Sequence, residues 1–186
     1  MAAERVEREE LSAMELRRTI ARMASEIVER LGDPRQLVLV GIVTGGRHLA
    51  LRLADAIASL EGVRPATGYV AITLYRDDLY TGLEKAQLGD TRLPDSDLSG
   101  RGVVLVDDVL FTGRTVRAAL DELMDYGRPR FIKLVVLVDR GHRELPIAAD
   151  VVGKTIPTER SDRVVVAFVE DGSPQDGVFV QVGGGR

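Results

Sequence analysis

GVVLVDDVLFTGRTV, from Gly102 to Val116, decides the reading of this chain. Four apolar residues carry the backbone through a sheet to two adjacent carboxylates, Asp107 and Asp108. Successive strand residues point to opposite faces, so both acids are accommodated together only near a strand end. Such a pair suits the two hydroxyls of a ribose, or a hydrated magnesium ion held through waters. Thr112-Gly113-Arg114-Thr115 then opens a helix. Its free amides and positive dipole end make an anion site, two hydroxyls add donors, and Gly113 lets the backbone approach closely. A phosphate at one end of a loop and a diol at the other are what a ribose 5-phosphate presents. The run is therefore expected to grip a phosphoribosyl donor. The alternatives lack their partners: a Walker B strand needs GxxxxGK[ST] elsewhere and a dinucleotide site needs GxGxxG, and the chain contains neither.

Working outward, Leu11–Leu31 has helical periodicity, with Leu16, Ile20, Met23, Ile27 and Leu31 on one face and Gly32-Asp33-Pro34 as its stop. Leu37–Val43 (LVLVGIV) is a continuous apolar run of the kind buried on both sheet faces. A helix at His48–Leu60, strands at Gly68–Leu74 and Val103–Val106, a helix at Thr115–Tyr126 and a strand at Phe131–Val138 complete an alternating pattern. That pattern predicts an α/β fold, a parallel sheet flanked by helices with right-handed crossovers. Ligands in such sheets sit beyond the carboxyl ends of the strands, so Thr44–Arg47, Asp107–Arg114 and Asp139–Glu144 become the candidate loops. Tyr75–Gly100 is long, polar and poor in large apolar residues, and reads as a lid carrying Arg76 and Lys85. Val164–Glu170 and Val178–Val182, joined by DGSPQDG, read as a closing hairpin. No repeat or boundary divides the chain, so residues 1–186 are expected to form one domain.

The composition agrees. The 186 residues are 45% apolar and 29% charged, with net charge −4, which is the balance of a soluble globular protein. No apolar run approaches the roughly 18 residues of a membrane span, and the charged N-terminus is no secretory leader, so a cytoplasmic location is expected. The absence of cysteine excludes disulfides, thiolate metal sites and a cysteine nucleophile. Lysine occurs only at 85, 133 and 154, and arginine supplies the other cations. The net charge rules out a protein basic all over, while a local basic face for nucleic acid stays open.

The run at Gly102–Val116 resembles the phosphoribosyl-pyrophosphate (PRPP) signature of type I phosphoribosyltransferases. Purine-salvage members have an aspartate before the Thr-Gly as general base; here the residue is Phe111, which accepts no proton and points to a pyrimidine. Ile72–Leu79 (ITLYRDDL), Val103–Ala118 (VVLVDDVLFTGRTVRA) and Leu134–Ile147 (LVVLVDRGHRELPI) together resemble the bifunctional pyrimidine operon regulators with uracil phosphoribosyltransferase activity. The similarity runs from about Leu16 to the closing hairpin.

The resemblance implies the type I fold with a flexible lid and a small base-binding hood. It implies the reaction of uracil with PRPP to give UMP and pyrophosphate, dependent on Mg2+. Asp107 and Asp108 would hold the ribose hydroxyls and the metal shell, through water and PRPP, and Val109, Leu110 and Phe111 would continue the PRPP/UMP run. Thr112, Gly113, Arg114 and Thr115 would hold the 5-phosphate, and Thr44, Gly45, Gly46 and Arg47 the pyrophosphate. Val138, Asp139, Arg140 and Gly141 would face uracil, with Arg140 acting beside Asp107 and Asp108 in catalysis. Arg76 and Lys85 would close over the pyrophosphate. The family usually reads T-R-G in its pyrophosphate loop, and Thr44-Gly45-Gly46 departs from it.

The resemblance further implies UMP-dependent binding of a leader stem-loop in pyrimidine operon mRNA. Arg18, Arg22 and Arg30 fall opposite the apolar stripe of the first helix, and His142, Arg143 and Lys154 are similar to RNA-facing positions of the family. Ala21, Ser25 and Ala148 replace polar residues common there. Three readings stand: a bifunctional regulator, a salvage enzyme without RNA binding, and an RNA-binding regulator with vestigial catalysis. A homo-oligomer, dimer or tetramer, is implied; His48 is assigned no role.

Overall fold

Side chains buried on both faces explain why the central strands read as unbroken apolar runs. The computed structural model describes residues 7–72 and 91–183. Its elements are β1 (Glu7–Leu11), α1 (Ala13–Leu31), β2 (Leu37–Ile42), α2 (Gly45–Glu61), β3 (Ala66–Val70) and β4 (Gly102–Leu110). There follow α3 (Arg114–Met124), β5 (Phe131–Asp139), β6 (Val151–Thr155), β7 (Arg163–Ala167) and β8 (Gly177–Gln181). Five strands form a parallel sheet in the order β3-β2-β4-β5-β6. The period of two sorts their side chains. Leu37, Leu39, Val104, Val106, Val135 and Leu137 pack beneath α1 and α2, whereas Val38, Val40, Val103, Leu105 and Val136 pack against Val116, Ala119 and Leu123 of α3. Truncating one of these leucines to alanine removes roughly 2–5 kcal/mol.

The ends of α1 are written locally. Ser12 accepts from the Glu15 amide and its own amide donates to the Glu15 carboxylate, so a capping box starts the helix at Ala13. Leu11, expected inside that helix, instead closes β1. Gly32, at φ +86°, ends it by donating to the Val28 carbonyl.

Several boundaries differ from the sequence expectation. The closing hairpin forms as β7 and β8, and β1 joins it as an unforeseen third antiparallel strand in the order β1-β8-β7. The fifth parallel strand, β6, was also unforeseen, because Gly153 interrupts its short apolar pattern. That glycine is needed there: a Cβ on it would run into the backbone carbonyl of Leu137 in the neighbouring strand β5. β3 ends at Val70 rather than Leu74. The span expected as a lid is partly a fixture of the body. Tyr69 and Arg92 exchange backbone hydrogen bonds of 2.7 and 2.9 Å, and Leu98 is fully buried. Arg76 and Lys85 lie outside the described residues.

Candidate active site

The carboxyl ends of β2, β4 and β5 meet, and three glycines let them. Gly41 lies in β2 beneath the first turn of α2, where a Cβ would stand 2.6 Å from the Arg47 nitrogen. Gly46 is buried against β4, with its Cβ position 3.1 Å from the Asp107 Cα. Gly45 faces the Asp108 side chain, its Cβ position 2.5 Å from Cγ. The expected loop Thr44–Arg47 is thus the first turn of a helix that begins at Gly45, three residues before the predicted start at His48. Thr44 supplies no side-chain cap and the first turn carries no acid, so no side chain of that turn offsets the positive end of α2, while the Arg47 amide donates to the Thr44 carbonyl at 3.2 Å. The Val43–Thr44 peptide is cis. Arg47 is exposed, its guanidinium 4.5 Å over the Tyr69 ring.

β4 runs four residues beyond its predicted end, so Asp107 and Asp108 belong to the strand and not to a loop. Pairing with β5 through Leu110 extends it. Each carboxylate accepts from the amide that follows: Asp108 N to Asp107 Oδ1 at 3.0 Å, Val109 N to Asp108 Oδ1 at 2.9 Å. Asp107 is buried and Asp108 half-buried. Val109 packs towards the core under α1 and α2, and Leu110 is buried in the other core. The Phe111 ring contacts the side chains of Arg140 and His142, and the Leu110 carbonyl accepts from the Arg140 amide at 3.1 Å.

The loop expected to hold the 5-phosphate turns at Gly113, whose φ of +92° suits glycine, and α3 starts there without a side-chain cap. Thr112 is buried, and its carbonyl accepts from the amides of Glu144 and Leu145 at 3.0 and 3.3 Å. The Arg114 side chain donates to the Glu144 carboxylate at 2.9 Å, and Arg160 pairs with the same carboxylate. Arg160 and then Arg114 hold the Glu144 carboxyl below the usual range. The sequence offered no sign of this clamp, which links residues 16 and 30 positions apart.

On the base side, the Arg140 guanidinium lies 4.2 Å from the Phe111 centroid and is buried. Its Nε donates to Thr158 Oγ1 at 3.1 Å and Nη2 to the Glu159 carbonyl at 2.8 Å. Thr158 and Glu159 were not foreseen; no local pattern marks them. Asp139 accepts from the Gly141 amide at 2.9 Å and pairs with Arg143. Val138, expected to face uracil, is fully buried in the core with α1 and α2 beside its neighbour Leu137, a departure from strict alternation at the end of β5.

The residues expected at RNA have varied placements. Arg143 donates to the carbonyls of Phe111 at 2.6 Å and Gly141 at 3.0 Å, bracing the loop from within. His142, at φ +61°, sits edge-on to Phe111 with its Nε2 2.7 Å from the Thr158 carbonyl. Arg22 reaches the carbonyls of Val152 and Gly153, Arg30 that of Asp150, and both pair with Glu26. Lys154 donates to the Glu10 carbonyl at 2.6 Å, while Arg18 is exposed. His48, assigned no role, pairs with Asp171 at 2.8 Å.

No group of three or more metal-ligating side chains occurs among the described residues. Two carboxylates at a strand end nevertheless fit magnesium, which keeps most of its waters and takes one or two carboxylates plus substrate oxygens. Among the described residues no helix is long and apolar enough to cross a membrane.

A pair of acids at a strand end between two helix amino ends, beside an aromatic and a cation, is an arrangement that suits a phosphorylated ribose. Residues 7–170 match the family model described as the phosphoribosyl transferase domain. The fold is that of hypoxanthine phosphoribosyltransferases: the Trypanosoma cruzi enzyme superposes with TM-score 0.70 at 22% identity, covering 97% of this chain and 94% of that one. A Staphylococcus aureus hypoxanthine phosphoribosyltransferase gives TM-score 0.62 at 21% identity, over 82% and 79%. Closer similarity narrows the class. Proteins named bifunctional protein PyrR are 57% identical in Chloroflexus aurantiacus (88% of this chain, 90% of that one) and 54% in Thermus thermophilus (94% and 95%). That of Geobacter sp. strain M21 is 54% identical over 87% of this chain and 90% of its own length. The chain belongs to the PyrR family, with the type I phosphoribosyltransferase fold.

Proposed function

We propose that this chain is a pyrimidine operon regulator that transfers ribosyl 5-phosphate from PRPP to uracil, forming UMP and pyrophosphate. One observation carries the reading: Phe111, under the Arg140 guanidinium, stands next to the phosphate loop where a purine enzyme needs a proton acceptor. A flat apolar surface with a cation suits uracil, whose ring nitrogen gains negative character before it bonds to the ribose carbon.

The chain's own residues do little covalent chemistry. As the carbon–oxygen bond to pyrophosphate breaks, the ribose carbon becomes oxocarbenium-like, and the new bond forms to the uracil ring nitrogen, whose proton leaves to the departing pyrophosphate or to solvent. Rate then comes from positioning and charge. Asp107 and Asp108 orient the ribose hydroxyls, and the amides of Thr112–Thr115 with Arg114 anchor the 5-phosphate. The amino end of α2 with Thr44, Gly45 and Gly46 receives the pyrophosphate. Arg47, resting on Tyr69 beside that turn, supplies the cation that the T-R-G pattern would carry two positions earlier. Asp139, Arg140 and Gly141 bound the uracil pocket, and the Thr158–Glu159 segment leading to β7 covers it as part of the hood. Magnesium, held by Asp107 and Asp108 through water and PRPP, supplies charge neutralisation for the departing pyrophosphate.

In the second role, the UMP-loaded protein binds a leader stem-loop of pyrimidine operon mRNA. Arg18, Arg22, Arg30 and Lys154 line the α1–β6 edge, and His142 and Arg143 lie in the loop that braces the base site, so nucleotide and RNA surfaces adjoin. A salvage enzyme without RNA binding is the second reading, favoured by the internal hydrogen bonds that engage Arg22, Arg30 and Lys154. The proposal includes a single cytoplasmic domain that assembles as a dimer or tetramer. Magnesium-dependent formation of labelled UMP from uracil and PRPP tests the enzyme; no turnover overturns that half. Leader-RNA affinity with and without UMP, across salt concentrations, tests the regulator; a shallow salt dependence with no UMP effect overturns it.

A further inference from the structure

We infer that Tyr69 is a positioning residue for Arg47: its ring holds the guanidinium beside the first turn of α2 without engaging the N–H donors that pyrophosphate would take. The inference rests on the proposed reading of Arg47 as the pyrophosphate cation and adds what keeps that side chain in place. An arginine can be held by acceptors or by a ring. A carboxylate or carbonyl engages its donors, whereas a ring attracts the cation through its quadrupole and engages none of them. Arg114 and Arg143 are of the first kind, donating to the Glu144 carboxylate and to the carbonyls of Phe111 and Gly141. Arg47 is of the second. Its guanidinium carbon lies 4.5 Å from the Tyr69 centroid, and among the described residues no acceptor takes its side-chain donors.

The ring stands on backbone that is fixed from both sides. Tyr69 is paired with Gly41 of β2, and on its other edge it exchanges hydrogen bonds of 2.7 and 2.9 Å with the Arg92 backbone. Gly41, its register partner, has no side chain, so the first turn of α2 comes down onto β2. The Arg47 nitrogen stands 2.6 Å from the Cβ position of that glycine. Arg47 therefore leaves α2 next to the ring, at a helix end whose positive dipole no side chain of the turn offsets. A long arginine free in solvent loses rotamer freedom when it binds an anion, and one already seated on a ring loses less. Tyr69 thus acts on pyrophosphate through Arg47 and leaves the ribose 5-phosphate end alone.

Calorimetry on full-length protein with PRPP-Mg2+, pyrophosphate-Mg2+ and UMP separates the two ends, because UMP carries no pyrophosphate. Arg47→Ala is expected to weaken PRPP and pyrophosphate on the order of tenfold and UMP less than about twofold. Tyr69→Ile keeps a residue suited to a strand and removes the ring. It should weaken PRPP and pyrophosphate roughly two- to fivefold, with UMP unchanged. Tyr69→Phe, which retains the ring, should match wild type, and Tyr69→Ile should have no further effect in the Arg47→Ala background. Thermal melting checks each variant, and Tyr69→Leu replaces Tyr69→Ile if the latter does not fold. The inference is overturned if the ring-free variant weakens UMP as much as pyrophosphate, leaves pyrophosphate unchanged or tighter, or acts equally without Arg47. Arg47→Ala with unchanged PRPP affinity overturns the reading of Arg47 and the inference with it. A wild type that binds no PRPP overturns the functional proposal as a whole.

Discussion

The guanidinium of Arg140 lies over the Phe111 ring, 4.2 Å from the centroid, and is held there by Thr158 and Glu159 from eighteen and nineteen residues further on. A buried cation and an aromatic ring thus adjoin where the base is proposed to sit. Phe111→Leu keeps the bulk and removes the π face. Such stacks are worth about 0.5–2 kcal/mol, so the KM for uracil should rise roughly two- to thirtyfold while the KM for PRPP changes little. Steady-state kinetics with each substrate varied decides it; equal effects on both would mean that the pair holds the fold and not the base.

Gly46→Ala should destabilise the protein. The added methyl group would meet the Val106 carbonyl and the Asp107 Cα, at 3.1 Å from the latter, and both are backbone atoms of a central strand. Overpacking of this kind costs typically 1–3 kcal/mol, and with no side chain able to yield the upper end is expected. The urea midpoint of the apo protein is the measurement. An unchanged midpoint would show that α2 can lift from β4.

Arg52 of α2 grips Glu170 at 2.8 Å and Asp176 at 2.7 Å while lying over Phe168, tying the helix to the turn before β8. Its hydrogen bonds hold both carboxyls below their ordinary range. Folded-state values lower than the unfolded ones, about 4, mean that the stabilisation is complete above pH 5 or so and is lost as pH falls through the folded values. Arg52→Met should lower stability on the order of 1–2 kcal/mol at pH 7, given the partial exposure of the acids. The gap to wild type should stay level from pH 8 to about 5 and close below about 4. Denaturant titrations at stepped pH check this; a gap that persists at pH 2–3 would assign the loss to packing on Phe168.

Arg18 is exposed on α1, whereas Arg22 and Arg30 are bonded to carbonyls of β6 and the segment before it. Arg18→Ala should weaken leader-RNA binding and reduce the slope of log affinity against log salt by about one, the signature of one lost phosphate contact. Filter binding with UMP present, from low to moderate salt, measures the slope. An unchanged slope would move the RNA surface away from this face of α1.

The parts of the chain that were legible are those whose cause is local. LVLVGI and GVVLV announce central strands because burial on both faces leaves no polar alternation. The glycine inside LVLVGIV marks the place where α2 must approach. Asp107-Asp108 and Thr112–Thr115 could be assigned to one ligand end because a strand end and a helix start are adjacent in sequence. Phe111 pointed to a pyrimidine from a single position. None of these needs a distant partner.

What required the tertiary structure is whatever depends on residues far apart in the chain. β1 is five mostly polar residues that become a strand only by pairing with β8 at the other end of the chain. Val138 was placed at uracil by its neighbours, and the packing at the end of β5 buries it beside Leu137 under α1 and α2. Arg143 and Arg22 read as surface cations until carbonyls 32 and 130 residues away claimed them. Gly45 read as a missing arginine, and the fold set the guanidinium of Arg47 over Tyr69 of β3. Periodicity and capping are written along the chain, so sequence determines them; hydrogen-bond partners and close approaches across a sheet are set by which strands become neighbours, and only the folded chain decides that.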